Sequence, residues 1–109
     1  MAESAAHRIL IYGDRRGHEP FVEWLESLKD GAAVARIQAR LHRLGHGDFG
    51  DSKSLGQGLH ELRLNVGPGF RVYYGSAGGR VVVLLGGGTK RTQARDIERA
   101  LKRWQEWTG

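Results

Sequence analysis

The residues best suited to chemistry lie in the stretch LHELRLNVGPGFRVYY, residues 59–74, where apolar and polar side chains alternate on both sides of a Gly-Pro-Gly segment. Two alternating runs divided by a glycine-containing loop predict an antiparallel hairpin with one apolar face. Its other face carries Arg63, Arg71 and Tyr73. Guanidinium groups present planar sets of donors that match phosphate and stay charged at any working pH. This face is therefore a candidate anion site, although arginine and tyrosine are also ordinary residues of a solvent-exposed sheet face.

The register of the hairpin can be predicted from its apolar residues, because cross-strand neighbours on a buried face pair apolar with apolar. The predicted pairs are Val66–Phe70, Leu64–Val72, Asn65–Arg71 and Arg63–Tyr73. A slip by one residue would mix the two faces. By the same alternation, His60 lies on the apolar face and points away from Arg63.

Other polar segments lie outside the hairpin. In GGGTKR, residues 86–91, glycines that lead into a helix would expose backbone N–H groups to a phosphate. The segment is not a P-loop, since Thr precedes Lys and the spacing differs, and a plain turn between a strand and a helix is the more ordinary explanation. The last helix is strongly basic, which suits an RNA backbone, an acidic partner or only a solvated surface. His42 and His46 have no third ligand nearby in the sequence, so no metal site is predicted.

The 109 residues suffice for a single domain, 1–109, with residues 1–6 expected to be frayed. A formal charge of +5 and a pI near 10.1 favour a nucleic acid or an acidic protein as partner, without deciding between them. The absence of cysteine excludes disulfides and thiolate metal sites. Because the chain shows neither a signal peptide nor a long apolar run, we expect a cytoplasmic protein that does not enter a membrane.

Hydrophobic periodicity predicts the elements that position these residues. Apolar residues at helical spacing follow Pro20 and recur between Ala32 and Leu44, so two helices form an αα-hairpin that must cover a sheet. The run VVVLL, residues 81–85, predicts a central strand buried on both faces. The predicted order β-α-α-β-β-β-α makes an α+β domain. Its remaining parts are a first strand at His7–Tyr12, a helix end at Gly45, a loop over Gly45–Gly58, a turn at Gly78-Gly79, and a last helix from Thr89 or Thr92 to Trp107.

In their order and spacing, several segments resemble a known protein family. The segments FVEWLESLKD, HELR (residues 60–63), FRVYY (70–74) and KRTQ (90–93) are similar to the RelE/ParE superfamily of toxins from type II toxin–antitoxin systems. The chain looks most like the HigB-like branch, the addiction module killer proteins, over residues 8–107. The resemblance implies a RelE-like fold, in which two N-terminal helices pack on a small twisted antiparallel sheet and a C-terminal helix follows.

The resemblance also implies an activity. A HigB-like toxin is an endoribonuclease, or mRNA interferase, that cuts mRNA, commonly on the ribosome, and so inhibits translation and growth. RNA carries its own nucleophile, the 2′-OH, so the protein needs only to position the backbone, move protons and stabilise charge. Neither a metal nor a cofactor is implied.

Site residues are carried over by position from the family. Arg63 and Arg71 would clamp the scissile phosphate and stabilise its developing charge. Lys53 and Lys90 would flank it, and one of them would act as the base if neighbouring cations lower its pKa. Tyr73 would orient the nucleophile or stack on a base. The residues implied to bind RNA farther out are Arg91, Arg95 and Arg99.

The implied partners are mRNA, the ribosome and a cognate HigA-like antitoxin with a helix-turn-helix domain, through which the complex reaches operator DNA. Two alternatives stay open, because the segment after the last strand lacks the His or Tyr that HigB-like enzymes often place there. One alternative is a ParE-like poison of DNA gyrase without nuclease activity. The other is an inactive toxin-like domain that only binds its antitoxin.

Overall fold

A computed structural model describes residues 6–76 and 80–109 of the chain. In that part the elements are β1 Arg8–Ile11, α1 Pro20–Ser27, α2 Gly31–Gly45, β2 Ser52–Gly56, β3 Leu59–Leu64, β4 Phe70–Ser76, β5 Val81–Thr89 and α3 Gln93–Thr108, with a 3₁₀ turn at Lys90–Thr92 before α3. The predicted α+β class is confirmed, and the arrangement is consistent with a RelE-like fold. The expected turn at Gly78-Gly79 and residues 1–5 of the expected frayed terminus lie outside the described residues.

The strands form a mixed sheet in the order β1-β5-β4-β3-β2. β1 runs parallel to β5, whereas the other neighbouring strands are antiparallel. As predicted, β5 lies inside the sheet and is buried on both faces, but it continues past VVVLL through three glycines to Thr89. Because β1 ends opposite Leu84, the second half of β5 pairs with β4 alone.

Helices cover both faces of this sheet. On one face α1 and α2 bury their apolar stripes, with Phe21, Ile37 and Leu44 in the resulting core. On the other face α3 buries Ala100 and Trp104 against the alternate residues of β3, β4 and β5. None of the helices in the described ranges is long and apolar enough to cross a membrane.

Two boundaries differ from the prediction. The stretch predicted as a loop, Gly45–Gly58, contains the edge strand β2. The sequence of β2, SKSLG, has no alternation of apolar residues, and so no strand was predicted there. This agrees with its edge position, where none of its residues is fully buried. The helix α2 begins after Asp30, whose side chain accepts hydrogen bonds from two N–H groups of the first turn, and it runs through Gly45. The glycine in the left-handed conformation that follows the helix is Gly47, with φ 87°.

The register of the β3–β4 hairpin differs from the prediction by two residues. The observed pairs include Leu64–Phe70, Arg63–Arg71, Leu62–Val72 and Glu61–Tyr73. The prediction assumed a loop of three residues, whereas residues 65–69 form the loop, in which the Gly69 N–H donates to the Val66 carbonyl. A shift of two residues keeps every side chain on its predicted face. It also places the two arginines directly opposite each other.

Candidate functional site

Arg63 and Arg71 are cross-strand neighbours on the face of the sheet that carries α3. Arg71 is only 5% exposed, and its Nη1 donates to the Phe70 carbonyl at 3.0 Å. The Nε atoms of both arginines are buried and have no hydrogen-bond partner among the described residues. Like charges directly opposite each other in a sheet repel, and buried donors without acceptors are costly. This arginine pair is therefore well suited to receive an anion.

Two carboxylates lie beside Arg63. Its Nε is 3.6 Å from Asp51 Oδ1 and 3.8 Å from Glu61 Oε1, which is too long for hydrogen bonds. Glu61 is 1% exposed, and its Oε2 accepts a 2.6 Å hydrogen bond from Gln93 Nε2 of α3. The carboxylates thus offset part of the positive charge without occupying the guanidinium donors.

Glu61 and Gln93 were not predicted as site residues from the sequence. In the sequence, Glu61 lies on the polar face of an alternating strand, a position typical of a solvent-exposed residue. Only the position of α3 over the sheet shows that Glu61 is buried. The sequence signal that could have indicated it is the pairing of a glutamate with an arginine two residues later on the same face.

Tyr73 lies directly opposite Glu61 in the hairpin. Its hydroxyl is buried without a hydrogen-bond partner among the described residues. Burial raises the pKa of Tyr73, the carboxylates of Glu61 and Asp96 raise it further, and Arg71 opposes this effect. The phenol therefore stays protonated and can act as a donor. Its ring is 0% exposed, which leaves no face for an RNA base in this conformation, so the hydroxyl is the part that remains for a catalytic role.

The two lysines lie near opposite ends of the arginine pair, and both are exposed. Lys53 of β2 pairs with Glu61 and shares its face of the sheet. Lys90 follows β5, and its N–H donates to the Gly69 carbonyl at 2.8 Å. A Cβ atom placed on Gly69 would lie within 4 Å of both Lys90 Cβ and Arg71 Nη1. Lys90 and Arg71 are therefore close to each other at this loop. The structure thus brings the predicted lysines to the margin of the predicted arginines.

The segment GGGTKR is neither a phosphate-binding turn nor the plain turn between a strand and a helix that the sequence favoured. Residues 86–88 belong to β5, and α3 begins only at Gln93, after the 3₁₀ turn. A Cβ on Gly87 would overlap the Trp24 ring, and one on Gly88 would overlap the Asp96 carboxylate. The glycines are therefore explained by the close approach of α1 and α3 to the two faces of the strand.

Of the three arginines assigned to RNA, two line a groove and one does not. Arg95 and Arg99 line a groove of about 540 Å³ between α1 and α3, together with Arg103. Arg91 is exposed on the 3₁₀ turn and does not line that groove.

Residues behind the site hold its strands in place. Arg40 of α2 donates from Nη1 to the Arg63 carbonyl at 2.7 Å, and from Nη2 to the Asp51 carbonyl at 3.3 Å. His60 stacks on Tyr74 with ring centroids 5.1 Å apart, on the face away from Arg63, as predicted. Among the described residues, no three imidazole or carboxylate groups lie together as metal ligands would.

Comparison with known proteins identifies a family for this chain. A family model described as "Phage derived protein Gp49-like (DUF891)" matches residues 23–105, a range that contains the arginine pair, Glu61 and Tyr73. A protein of Haemophilus influenzae, named "Uncharacterized protein", is 49% identical over 80 residues, which cover 73% of this chain and 81% of that protein. The Gp49-like family is associated with toxin–antitoxin systems and is related to RelE-like toxins, so the resemblance is confirmed at this level, and the HigB-like branch stays a prediction. The chain therefore belongs to the phage-derived Gp49-like protein family.

Proposed function

We propose that this protein is the toxin of a type II toxin–antitoxin system and acts as a HigB-like, metal-independent mRNA endoribonuclease. The observation that carries the proposal is the arginine pair, in which Arg63 and Arg71 are cross-strand partners whose buried Nε atoms lack acceptors among the described residues. An RNA phosphate would supply the negative charge and the acceptors that this pair lacks. The family association and the formal charge of +5 support the same conclusion.

In the proposed reaction, the 2′-OH of one nucleotide attacks the adjacent phosphorus and the P–O5′ bond breaks. The products are a 2′,3′-cyclic phosphate and a 5′-hydroxyl end. A base accepts the proton of the 2′-OH and an acid returns one to the leaving oxygen, a kind of proton transfer that contributes about 10²–10⁴ in rate. Arg63 and Arg71 bind the non-bridging oxygens and stabilise the charge that grows on them.

The lysines and Tyr73 divide the proton transfers in this mechanism. Lys53 and Lys90 are exposed at the margin of the arginine pair, where one of them serves as the base. The hydroxyl of Tyr73 is protonated in the free protein and serves as the acid that gives its proton to the leaving 5′ oxygen. Glu61 accepts a hydrogen bond from Gln93 and lies 3.8 Å from Arg63 Nε, so it acts as a positioning residue for Arg63.

The family association supports an antitoxin as a partner of this protein. We propose further that this antitoxin carries a helix-turn-helix domain and that it alone brings the complex to operator DNA. The ribosome presents the mRNA substrate, and the protein acts in the cytoplasm.

The proposal is tested by controlled expression followed by primer extension on an abundant transcript. The chains compared are the natural one, Arg63→Gln, Arg71→Gln and, as a matched control, Arg36→Gln, which removes an exposed charge from α2. We expect cleavage by the natural chain and the control, and a loss of about 100-fold or more in each variant of the pair. Because Arg71 is buried, thermal melts of the purified variants must show that they are folded.

The other outcomes separate the alternatives. Growth arrest with intact mRNA and an induced DNA-damage response would contradict the nuclease and favour a gyrase poison. Absence of arrest from the folded natural chain would favour a domain that only binds its antitoxin.

A further inference from the structure

The groove between α1 and α3, called here the β5 groove, contains a free strand edge. Its floor is the second half of β5, Gly86–Thr89, and its volume is about 540 Å³. Trp24 of α1 forms part of one wall, and Arg95, Arg99 and Arg103 of α3 lie along the other. None of these groups belongs to the arginine pair or to its margin.

The backbone direction at this edge follows from the strand pairing. The Lys90 N–H points to Gly69, on the β4 side. Alternate residues of a strand direct their amide groups to opposite edges. The N–H and C=O groups of Gly87 and Thr89 therefore point into the groove, where no strand of the described residues pairs with them.

An unpaired edge with exposed amides is a template for an extended peptide. Four residues of strand offer about 13 Å of edge, at roughly 3.3 Å per residue. The helices α1 and α3 enclose this edge from both sides of the sheet, so the groove admits one added strand. The faces of the floor glycines are covered by Trp24, Asp96 and Arg103, so a partner strand reaches the backbone along the edge of β5.

The charges of the groove indicate which peptide would bind. Arg95 lies 3.7 Å from Asp96, and Arg103 donates to the Leu85 carbonyl at 2.9 Å. Arg99 is exposed and forms no ion pair among the described residues. Two carboxylates, Glu23 of α1 and Asp96 of α3, also line the groove. The three arginines of α3 still exceed them by one charge, which favours an acidic segment. RNA is also anionic, but it has no backbone amides to pair with a β-strand edge.

We propose that the β5 groove binds an acidic, extended segment of a partner protein, which adds a strand to Gly86–Thr89. The inference does not require the nuclease activity proposed above. It assigns to a protein partner two arginines, Arg95 and Arg99, that the family resemblance assigned to RNA.

Solution NMR of the 15N-labelled protein tests this directly. The probes are an eight-residue peptide of alternating Glu and Val, its counterpart of alternating Lys and Val, and a single-stranded oligoribonucleotide. We expect the acidic peptide to shift the amide signals of Gly87 and Thr89 and to slow their hydrogen exchange. Arg99→Glu should weaken this binding at least tenfold, whereas the control Lys102→Glu, an exposed position on the same helix outside the groove, should change it less than twofold.

Three results would overturn the proposal. The first is an acidic peptide at millimolar concentration that leaves the Gly87 and Thr89 amides unchanged. The second is equal weakening by Arg99→Glu and Lys102→Glu, which would indicate unspecific attraction. The third is a stronger response of these two amides to the oligoribonucleotide than to the peptide, which would make the groove an RNA site. None of these results depends on whether the chain cleaves RNA.

Discussion

At the scale of residues, Glu61 connects the parts of the candidate site. Its carboxylate accepts a hydrogen bond from Gln93, lies 3.8 Å from Arg63 Nε and raises the pKa of Tyr73. It is also the one buried carboxylate among the described residues. Glu61 is therefore the buried counter-charge of the arginine pair, beside the exposed Asp51, and it helps to keep the Tyr73 hydroxyl protonated.

Replacing Glu61 by glutamine tests this balance with little change in shape. We expect Glu61→Gln to lower the free energy of unfolding by about 1–3 kcal/mol, because the arginine pair loses its buried counter-charge. Urea unfolding at neutral pH measures the effect. Glu98→Gln, an exposed change on α3, serves as the control and should stay within about 0.5 kcal/mol of the natural chain. A Glu61→Gln protein as stable as the natural one would show that the carboxylate does not balance the pair.

At the scale of elements, glycines determine how closely the helices approach the sheet. A Cβ on Gly75 of β4 would overlap the ring of Trp104, which is 4% exposed in the core beneath α3. The same relation holds between Gly87 and Trp24 of α1. A small residue in the strand thus faces a large one in the helix on each side of the sheet.

This packing predicts opposite effects for two glycine substitutions. Gly75→Ala should destabilise the protein by about 1–3 kcal/mol, because the buried ring has little space to move. The control Gly31→Ala lies in the first turn of α2 with nothing within 4 Å of the added methyl group, so it should be neutral or stabilising by up to about 1 kcal/mol. Thermal melts of both variants supply the comparison, and equal melting temperatures would refute the packing argument.

At the scale of the whole molecule, burial of titratable rings limits the pH range of stability. Burial lowers the pKa of His60, and burial is the largest cause that raises the pKa of each of Tyr12, Tyr73 and Tyr74. Below the ordinary histidine pKa of about 6.5, the unfolded chain binds a proton that folded His60 resists. Above the ordinary tyrosine pKa of about 10, the unfolded chain loses protons that the folded tyrosines keep. Stability therefore falls in both directions.

The loss of stability at acidic pH can be assigned to one residue, His60. In His60→Phe the aromatic contact with Tyr74 is retained and the titrating group is removed, so the loss of stability between pH 7.5 and pH 5.5 should be smaller than in the natural chain. Urea unfolding at the two pH values measures it. The control Gln38→Ala, an exposed change on α2 that neither adds nor removes a titrating group, should lose as much stability as the natural chain. If His60→Phe loses as much stability as the natural chain, the acid sensitivity comes from other groups.

Local patterns were enough to place α1, α2, α3 and the first half of β5, because each helix buries a stripe at its own period and VVVLL is a continuous apolar run. They were also enough to assign Arg63, Arg71 and Tyr73 to one face of the hairpin, since alternation fixes the face of every strand residue. Alternation cannot distinguish registers that differ by two residues, so the direct opposition of the arginines depended on the length of the loop at 65–69. The edge strand β2 buries too little to leave a periodic pattern. The burial of Glu61 beneath α3 and the free edge of β5 result from contacts between distant segments, and no local pattern encodes them.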